Sequence, residues 1–318
     1  MHIPDGFLDA KTIVAASAFS AAGVARALRN LTRELTAPNV PLMGLAAAFI
    51  FVAQMLNFPV VGGTSGHLLG AVLVSVLLGP SAGIVVMAVV LVVQCLLFAD
   101  GGVLALGANI FNMGIVAAVG GYSIYRALSR VIPGDYGKLV GVAFASWAST
   151  VLASVCCTGE LAWSGTVGWS AGFPAMTGIH MLIGAGEAVI TMLVFAAVYR
   201  MRPGILEEGR PQPAGPRARP LADVLIYGSI VTAGLVLFVS PFASGWPDGL
   251  EKVAGALGFA SRSLANPLVA SPLADYRVPG IGSLPAATAV AGLAGAAVVF
   301  LLSFVLARTL LARSRHIS

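Results

Sequence analysis

The sequence predicts an all-α, polytopic helical membrane protein, with a seven-helix domain followed by a two-helix module that carries an external loop. Three observations predict it. Of 318 residues, 58% are hydrophobic and only 10% charged, whereas a soluble domain carries about 25% charged residues. The mean hydropathy of +0.93 is that of a chain solvated mostly by lipid. Apolar runs near the ~20 residues that cross a bilayer recur at roughly 12–28, 41–58, 66–79, 81–99, 105–128, 138–157, 175–200, 221–241 and 285–307. The 38 glycines fit as well, because small residues let membrane helices approach closely.

Taken in order, the third run, beginning at Gly66, is short and reads as a buried or half-depth helix. Charge orients the rest. Arg26, Arg29 and Arg33 follow the first run, and Arg126, Arg130 and Lys138 separate the fifth from the sixth. Arg200, Arg202, Arg210, Arg217 and Arg219 follow the seventh, and Arg308, Arg313 and Arg315 follow the last. Placing all of these in the cytoplasm leaves only Lys11, Lys252, Arg262 and Arg277 in the remaining loops. The N-terminus then faces outside and the C-terminus inside. Pro and Gly break the chain over 203–220, which reads as an extended cytoplasmic linker. It divides a membrane domain, 1–202, from a module, 221–318, whose external loop spans about 242–284.

Composition also excludes several functions. The net charge of +5 sits at the ends of apolar runs, so it marks topology rather than nucleic-acid binding. Cys95, Cys156 and Cys157 lie in apolar stretches without metal-site spacing and read as buried small hydrophobes. No basic region precedes an apolar core at the start, so no secretory signal is expected and the mature chain should begin at Met1. There is no phosphate-binding G-x-x-x-x-G-K-[ST] run, hydrolase triad or haem motif. The chain reads as a non-enzyme, and any active transport would draw on a partner or an ion gradient.

Ionisable groups within a membrane protein are the first functional candidates. The four histidines are His2, His67, His180 and His316. The charge argument puts His2 and the glycine-rich connection ending at His67 on the same external face, where they can meet. The Met1 amine, the deprotonated His2 amide and the His2 imidazole would form fused chelate rings, and His67 would supply a fourth nitrogen. Four nitrogens in a plane suit Ni(II) or Cu(II) and can hold Co(II), whereas oxygen-seeking Mg(II) and Ca(II) would be rejected. The scheme requires Met1 to be retained, because His is too large for methionine trimming, and to be deformylated. The competing reading leaves His2 an exposed terminal residue. Ser65 is close enough to partner His67. Asn109 and Asn112, three apart, share a helix face and can serve the site or bond between helices. His180 and Glu187, seven apart, form either a polar seam between helices or part of a metal pathway.

These residues resemble a known family. Met-His-Ile-Pro-Asp-Gly at the start, Pro41-Leu-Met-Gly44, Ala48-Phe-Ile-Phe-Val-Ala-Gln-Met-Leu-Asn57 and Gly62-Gly-Thr-Ser-Gly-His-Leu-Leu-Gly70 occur in order. Asp100-Gly-Gly102, Gly107-Ala-Asn-Ile-Phe-Asn-Met-Gly114 and His180-Met-Leu-Ile-Gly-Ala-Gly-Glu187 follow. Over about 1–200 they resemble the CbiM/NikM family, the cobalt or nickel substrate-binding membrane component of energy-coupling factor (ECF) transporters. Pro247-Asp-Gly-Leu-Glu251 resembles the signature of a small companion module often fused to it. The resemblance implies seven helices with the N-terminus inserted in their core. It implies Met1, His2 and His67 as ligands of Co(II) or Ni(II), carried as substrate, with no organic cofactor. It also implies a transmembrane coupling subunit and cytoplasmic ATPases as partners in a bacterial or archaeal cytoplasmic membrane. An ion-gradient-driven metal permease and a non-transport assembly protein are the alternatives. The ligand set does not separate cobalt from nickel.

Overall fold

The computed structural model describes residues 1–202, 204, 206, 220–264 and 268–314. Most of the expected linker 203–220, together with His316, Arg210, Arg217, Arg219 and Arg315, lies outside them.

Helices account for nearly all the regular structure. The first, α1 (Ala10–Glu34), starts at Asp9, whose carboxylate accepts from the Thr12 amide and so satisfies one orphan donor of the first turn. After α2 (Asn39–Met55) comes a departure from the all-α expectation. Strands β1 (Phe58–Val60) and β2 (Thr64–Gly66) pair antiparallel, Pro59 opposite Ser65. The reason is local. Gly62 and Gly63 both take positive φ, 92° and 71°, the backbone of a tight hairpin turn that glycine adopts without steric cost. The hairpin delays α3 (Ala71–Leu78), which is five residues shorter at its start than the apolar run suggested.

The chain continues through α4 (Pro80–Phe98), α5 (Leu106–Asn109), a π-helical turn over Ile110–Val116 and α6 (Ala117–Val131). Then follow α7 (Gly134–Trp163) and α8 (Trp169–Met201). In the second module, α9 (Leu221–Gly234) runs on through a π-helical turn to Val239. A short α10 (Gly249–Leu257) lies in the loop before α11 (Leu284–Ser314). Among the described residues, five helical stretches are long and apolar enough to cross a membrane: Pro80–Phe98, Gly134–Trp163, Trp169–Met201, Leu221–Phe242 and Leu284–Ser314. The chain is a multi-pass membrane protein.

Packing explains which helices lie inside. α4 is buried along most of its length, while α8, α9 and α11 expose Leu182, Leu193, Ile230, Leu301 and Val305. Such apolar surface suits lipid, where a helix satisfies its own backbone. α2 packs on α9 and α11, so the module is fastened to the first domain helix against helix. The approach is close: a Cβ at Gly295 would lie 2.2 Å from the Phe51 ring. Sheltered behind these helices, one end of the molecule collects residues 1–9, the hairpin and the loop that follows α9.

Candidate metal centre

The first nine residues thread into the protein rather than lying on it. Met1, Ile3, Asp5, Phe7 and Leu8 are buried. Burying an irregular segment requires that its backbone find partners, and it does. The Ile3 amide donates to Asn109 Oδ1 at 2.8 Å, and Asn109 Nδ2 returns a bond to the Ile3 carbonyl at 3.1 Å. Asp5 accepts from the Val103 and Leu104 amides, and the Phe7 carbonyl accepts from the Thr166 hydroxyl.

At the inner end of this segment the Met1 nitrogen lies 2.8 Å from His67 Nε2. The His2 and His67 ring centroids are 5.2 Å apart. His67 Nδ1 faces the Leu68 carbonyl oxygen at 3.2 Å, which places its proton on Nδ1 and turns the Nε2 lone pair towards the amine. The segment carrying His67 is itself held. Glu187 of α8 accepts from the amides of Leu69 and Gly70, the latter at 2.9 Å. Burial lowers the pKa of His2, and burial together with the Met1 charge lowers that of His67 well below the ordinary imidazole value. Both rings are therefore neutral lone-pair donors at neutral pH.

Two carboxylates stand beside these nitrogens. Asp100 Oδ1 lies 3.2 Å from His2 Nδ1, while the Tyr276 hydroxyl donates to Asp100 Oδ2 at 2.5 Å. Burial, reinforced by the Asp100 charge, keeps that phenol protonated. Tyr276 reaches inward because Asp275 and Tyr276 both adopt left-handed backbone, φ 53° and 56°, a costly conformation away from glycine. Its ring stacks on Phe98 at 4.8 Å. Asp248 Oδ2 lies 2.7 Å from the Met1 nitrogen. Burial alone would raise the Asp248 carboxyl, but the ammonium outweighs it and holds the group well below the usual carboxylate range.

A cavity of about 20 Å³ lies between Met1, His67, His180 and Asp248, room for one water-sized guest. His2 Nε2 is buried without a hydrogen-bond partner. Among the described residues, no three His, Cys, Asp or Glu side chains group into a metal site. A centre here must use main-chain nitrogen.

Of the other residues singled out from sequence, His180 lines this cavity, and the rest make bonds of their own around the segments that carry Met1 and His67 or between helices. Ser65 does not partner His67; its hydroxyl donates to the Trp246 carbonyl at 2.7 Å. Asn109 and Asn112 take different partners, Asn109 at the end of α5 and Asn112 within the π-helical turn that follows it. Asn109 fastens Ile3, whereas Asn112 donates to Glu160 of α7 at 2.6 Å. His180 and Glu187 do not join in one seam either: His180 Nδ1 bonds the Met176 carbonyl at 2.7 Å, one turn back in its own helix. Sequence reasoning missed Asp248, Asp100 and Tyr276 as site residues. The Pro-Asp-Gly-Leu-Glu motif pointed to the first and the apolar surroundings of Asp100 to the second. Nothing local marked Tyr276.

Comparison with known proteins places this geometry. Residues 2–205 match the model of the CbiM family, described as the cobalt uptake substrate-specific transmembrane region, and residues 222–312 match the PDGLE domain. A relative in Archaeoglobus fulgidus, named a putative fused nickel transport protein NikMN, is 37% identical over 97% of this chain and 98% of its own length. The fused nickel transport protein NikMN of Rhodobacter capsulatus is 30% identical over 94% of this chain and 95% of its own. The cobalt transport protein CbiM 1 of Pelobacter propionicus is 34% identical over 63% of this chain and 91% of its own. A crystal structure described as a transition metal transporter superposes with a TM-score of 0.57 at 33% identity, covering 62% of this chain and 92% of that one. With a buried amino terminus beside two imidazoles, and a family match over well over half its length, this chain belongs to the CbiM family and carries a PDGLE domain at its C-terminal end.

Proposed function

We propose that the chain is the metal-capturing component of an ECF-type importer of Ni(II) or Co(II). The Met1 amine, the His2 amide and imidazole, and His67 Nε2 hold one ion as cargo. The observation that carries this reading is the 2.8 Å separation of the Met1 nitrogen and His67 Nε2. Two nitrogens bound at ~2.0 Å to one ion and at a right angle lie about 2.8 Å apart. They are thus already spaced as neighbouring corners of a square. His2 completes the set through Nδ1, which closes a six-membered ring with its own amide nitrogen. Asp100 Oδ1 faces that nitrogen at 3.2 Å, so capture exchanges this contact for the ion. The amine and the amide each release a proton, which offsets the charge brought by the metal.

Nitrogen donors bind nickel more tightly than cobalt, and the fused relatives are named for nickel, so nickel is the cargo to test first. Residues 1–202 form a seven-helix binding domain, 203–220 a cytoplasmic linker and 221–318 a two-helix module. The N-terminus lies outside and the C-terminus inside. Arg26, Arg29, Arg33, Arg126 and Arg130 mark the cytoplasmic end, and Lys11, Lys252 and Arg262 sit with the site at the other. A transmembrane coupling subunit and cytoplasmic ATPases supply the energy.

The test is elemental analysis of the purified chain with its native start, beside His2→Ala and His67→Ala. The native chain should hold one ion and each variant should lose it. Retention by both variants would reject the ligand set. Uptake into vesicles that persists without ATPase partners would instead favour a gradient-driven permease.

A further inference from the structure

The Pro247–Glu251 motif lies about 250 residues from the amino terminus, yet it is folded against it: Asp248 and Gly249 line the cavity beside Met1 and His67. The Pro247 carbonyl accepts from the Ser65 amide at 2.8 Å and from the Thr64 hydroxyl at 3.0 Å, which fixes the motif to β2, one residue from His67. Asp248 caps α10. Its Oδ1 accepts from the Glu251 amide at 2.8 Å, and Glu251 Oε2 accepts in return from the Asp248 amide at 2.9 Å. This reciprocal box fixes the carboxylate and leaves Oδ2 for the Met1 nitrogen at 2.7 Å. Gly249 lies against α8, where a Cβ would come within 2.8 Å of His180 Cε1 and 2.9 Å of the Ile183 side chain. Leu250 is fully buried. A motif that served only to start a short helix would need neither the glycine nor a carboxylate aimed away from the helix.

We propose that this motif is a latch for the amino terminus, in which Asp248 is the positioning residue that holds the Met1 amine beside His67. The second module thereby completes a binding site whose donors all belong to the first. The latch rests on the reading of Met1 as a ligand. A metal-bound primary amine still carries two N–H groups, and Asp248 Oδ2 accepts from one of them in the bound site. Its negative charge also offsets that of the ion. Losing such a partner to a ligating group typically weakens metal retention 10–100-fold.

The test uses the full chain carrying Asp248→Ser. Serine is as good a helix cap as aspartate but is too short and uncharged to hold the amine, so α10 is kept while the latch is lost. Two quantities are read. The first needs no metal: the rate at which an amine-acylating reagent modifies Met1 in chelator-treated protein, followed by mass spectrometry. It should rise at least about tenfold. The second is the rate of Ni(II) release to a competing chelator, which should rise about tenfold. Asp248→Asn, equal in size, is the check against misfolding and should fall between wild type and Asp248→Ser in both. Wild-type values for either quantity in Asp248→Ser overturn the latch. Failure of the ligand reading is seen separately, as nickel retained by His2→Ala and His67→Ala.

Discussion

The two sides of the centre are built differently. His67 belongs to the first domain, and its surroundings are rigid: its own Nδ1 is tied to the Leu68 carbonyl, and the buried carboxylate of Glu187 accepts from the next two amides. On the other side, Asp248 stands against the Met1 amine and Tyr276 against Asp100, and both come from the loop between α9 and α11. That loop carries a short helix seated on the core through Leu250, Val253 and Ala254, and a strained pair of residues in otherwise irregular chain. The difference teaches that donating to an ion and restraining the donors are separate roles. The donors need a fixed spacing, which packed helices supply. The restraints stand on a loop that is mostly irregular chain, which opens locally more readily than packed helices do.

The largest expected effect is on the rigid side. Adding one residue before Met1, or replacing His67 by Ala, should abolish nickel retention, a loss beyond about a hundredfold measured by competition with a chelator. Unchanged retention with the extended start would refute the role of the amine. Glu187→Ala comes next. It leaves the Leu69 and Gly70 amides buried without acceptors, each worth roughly 1–3 kcal/mol, so thermal unfolding in detergent should report a loss of about 2–5 kcal/mol. Were the protein as stable as wild type, the grip on the His67 segment would not be what holds it.

On the yielding side the effects shrink. Gly249→Ala should push α10 away from His180. Overpacking of this kind costs roughly 1–3 kcal/mol of stability, so thermal unfolding in detergent should report that loss and nickel release should be faster than from the wild type. The smallest is Tyr276→Phe, which keeps the ring on Phe98 and removes two hydrogen bonds, the donation to Asp100 and the acceptance from Gln94; the first, worth about 1 kcal/mol, is the one that bears on the centre. Nickel release about fivefold faster than wild type is expected. An effect as large as that of His67→Ala would mean the loop is as rigid as the core, and the contrast between the two sides would collapse.

Much of this was legible in the chain itself. Hydropathy located each apolar helix, with ends missed by up to seven residues where the helix runs on past its apolar stretch, as α11 does to Ser314. The meeting of Met1, His2 and His67 was legible because the charge pattern put the terminus and the glycine-rich connection at one end of the molecule. Asn109 stood out as a polar residue in an apolar setting, but its hold on Ile3 did not, because the partner lies 106 residues away in an irregular segment. Ser65 was misplaced for a similar reason, since proximity in sequence to His67 says nothing of which face of a strand a side chain takes.

By itself, the sequence determined the solvent, the apolar helices and the charge asymmetry, because each depends on residue type and short-range spacing. Only the tertiary structure decided that Asp248 and Tyr276 stand within bonding distance of Met1 and Asp100. Those contacts span 247 and 176 residues, and they exist because α2 packs on α9 and α11, a long-range arrangement that no local pattern encodes.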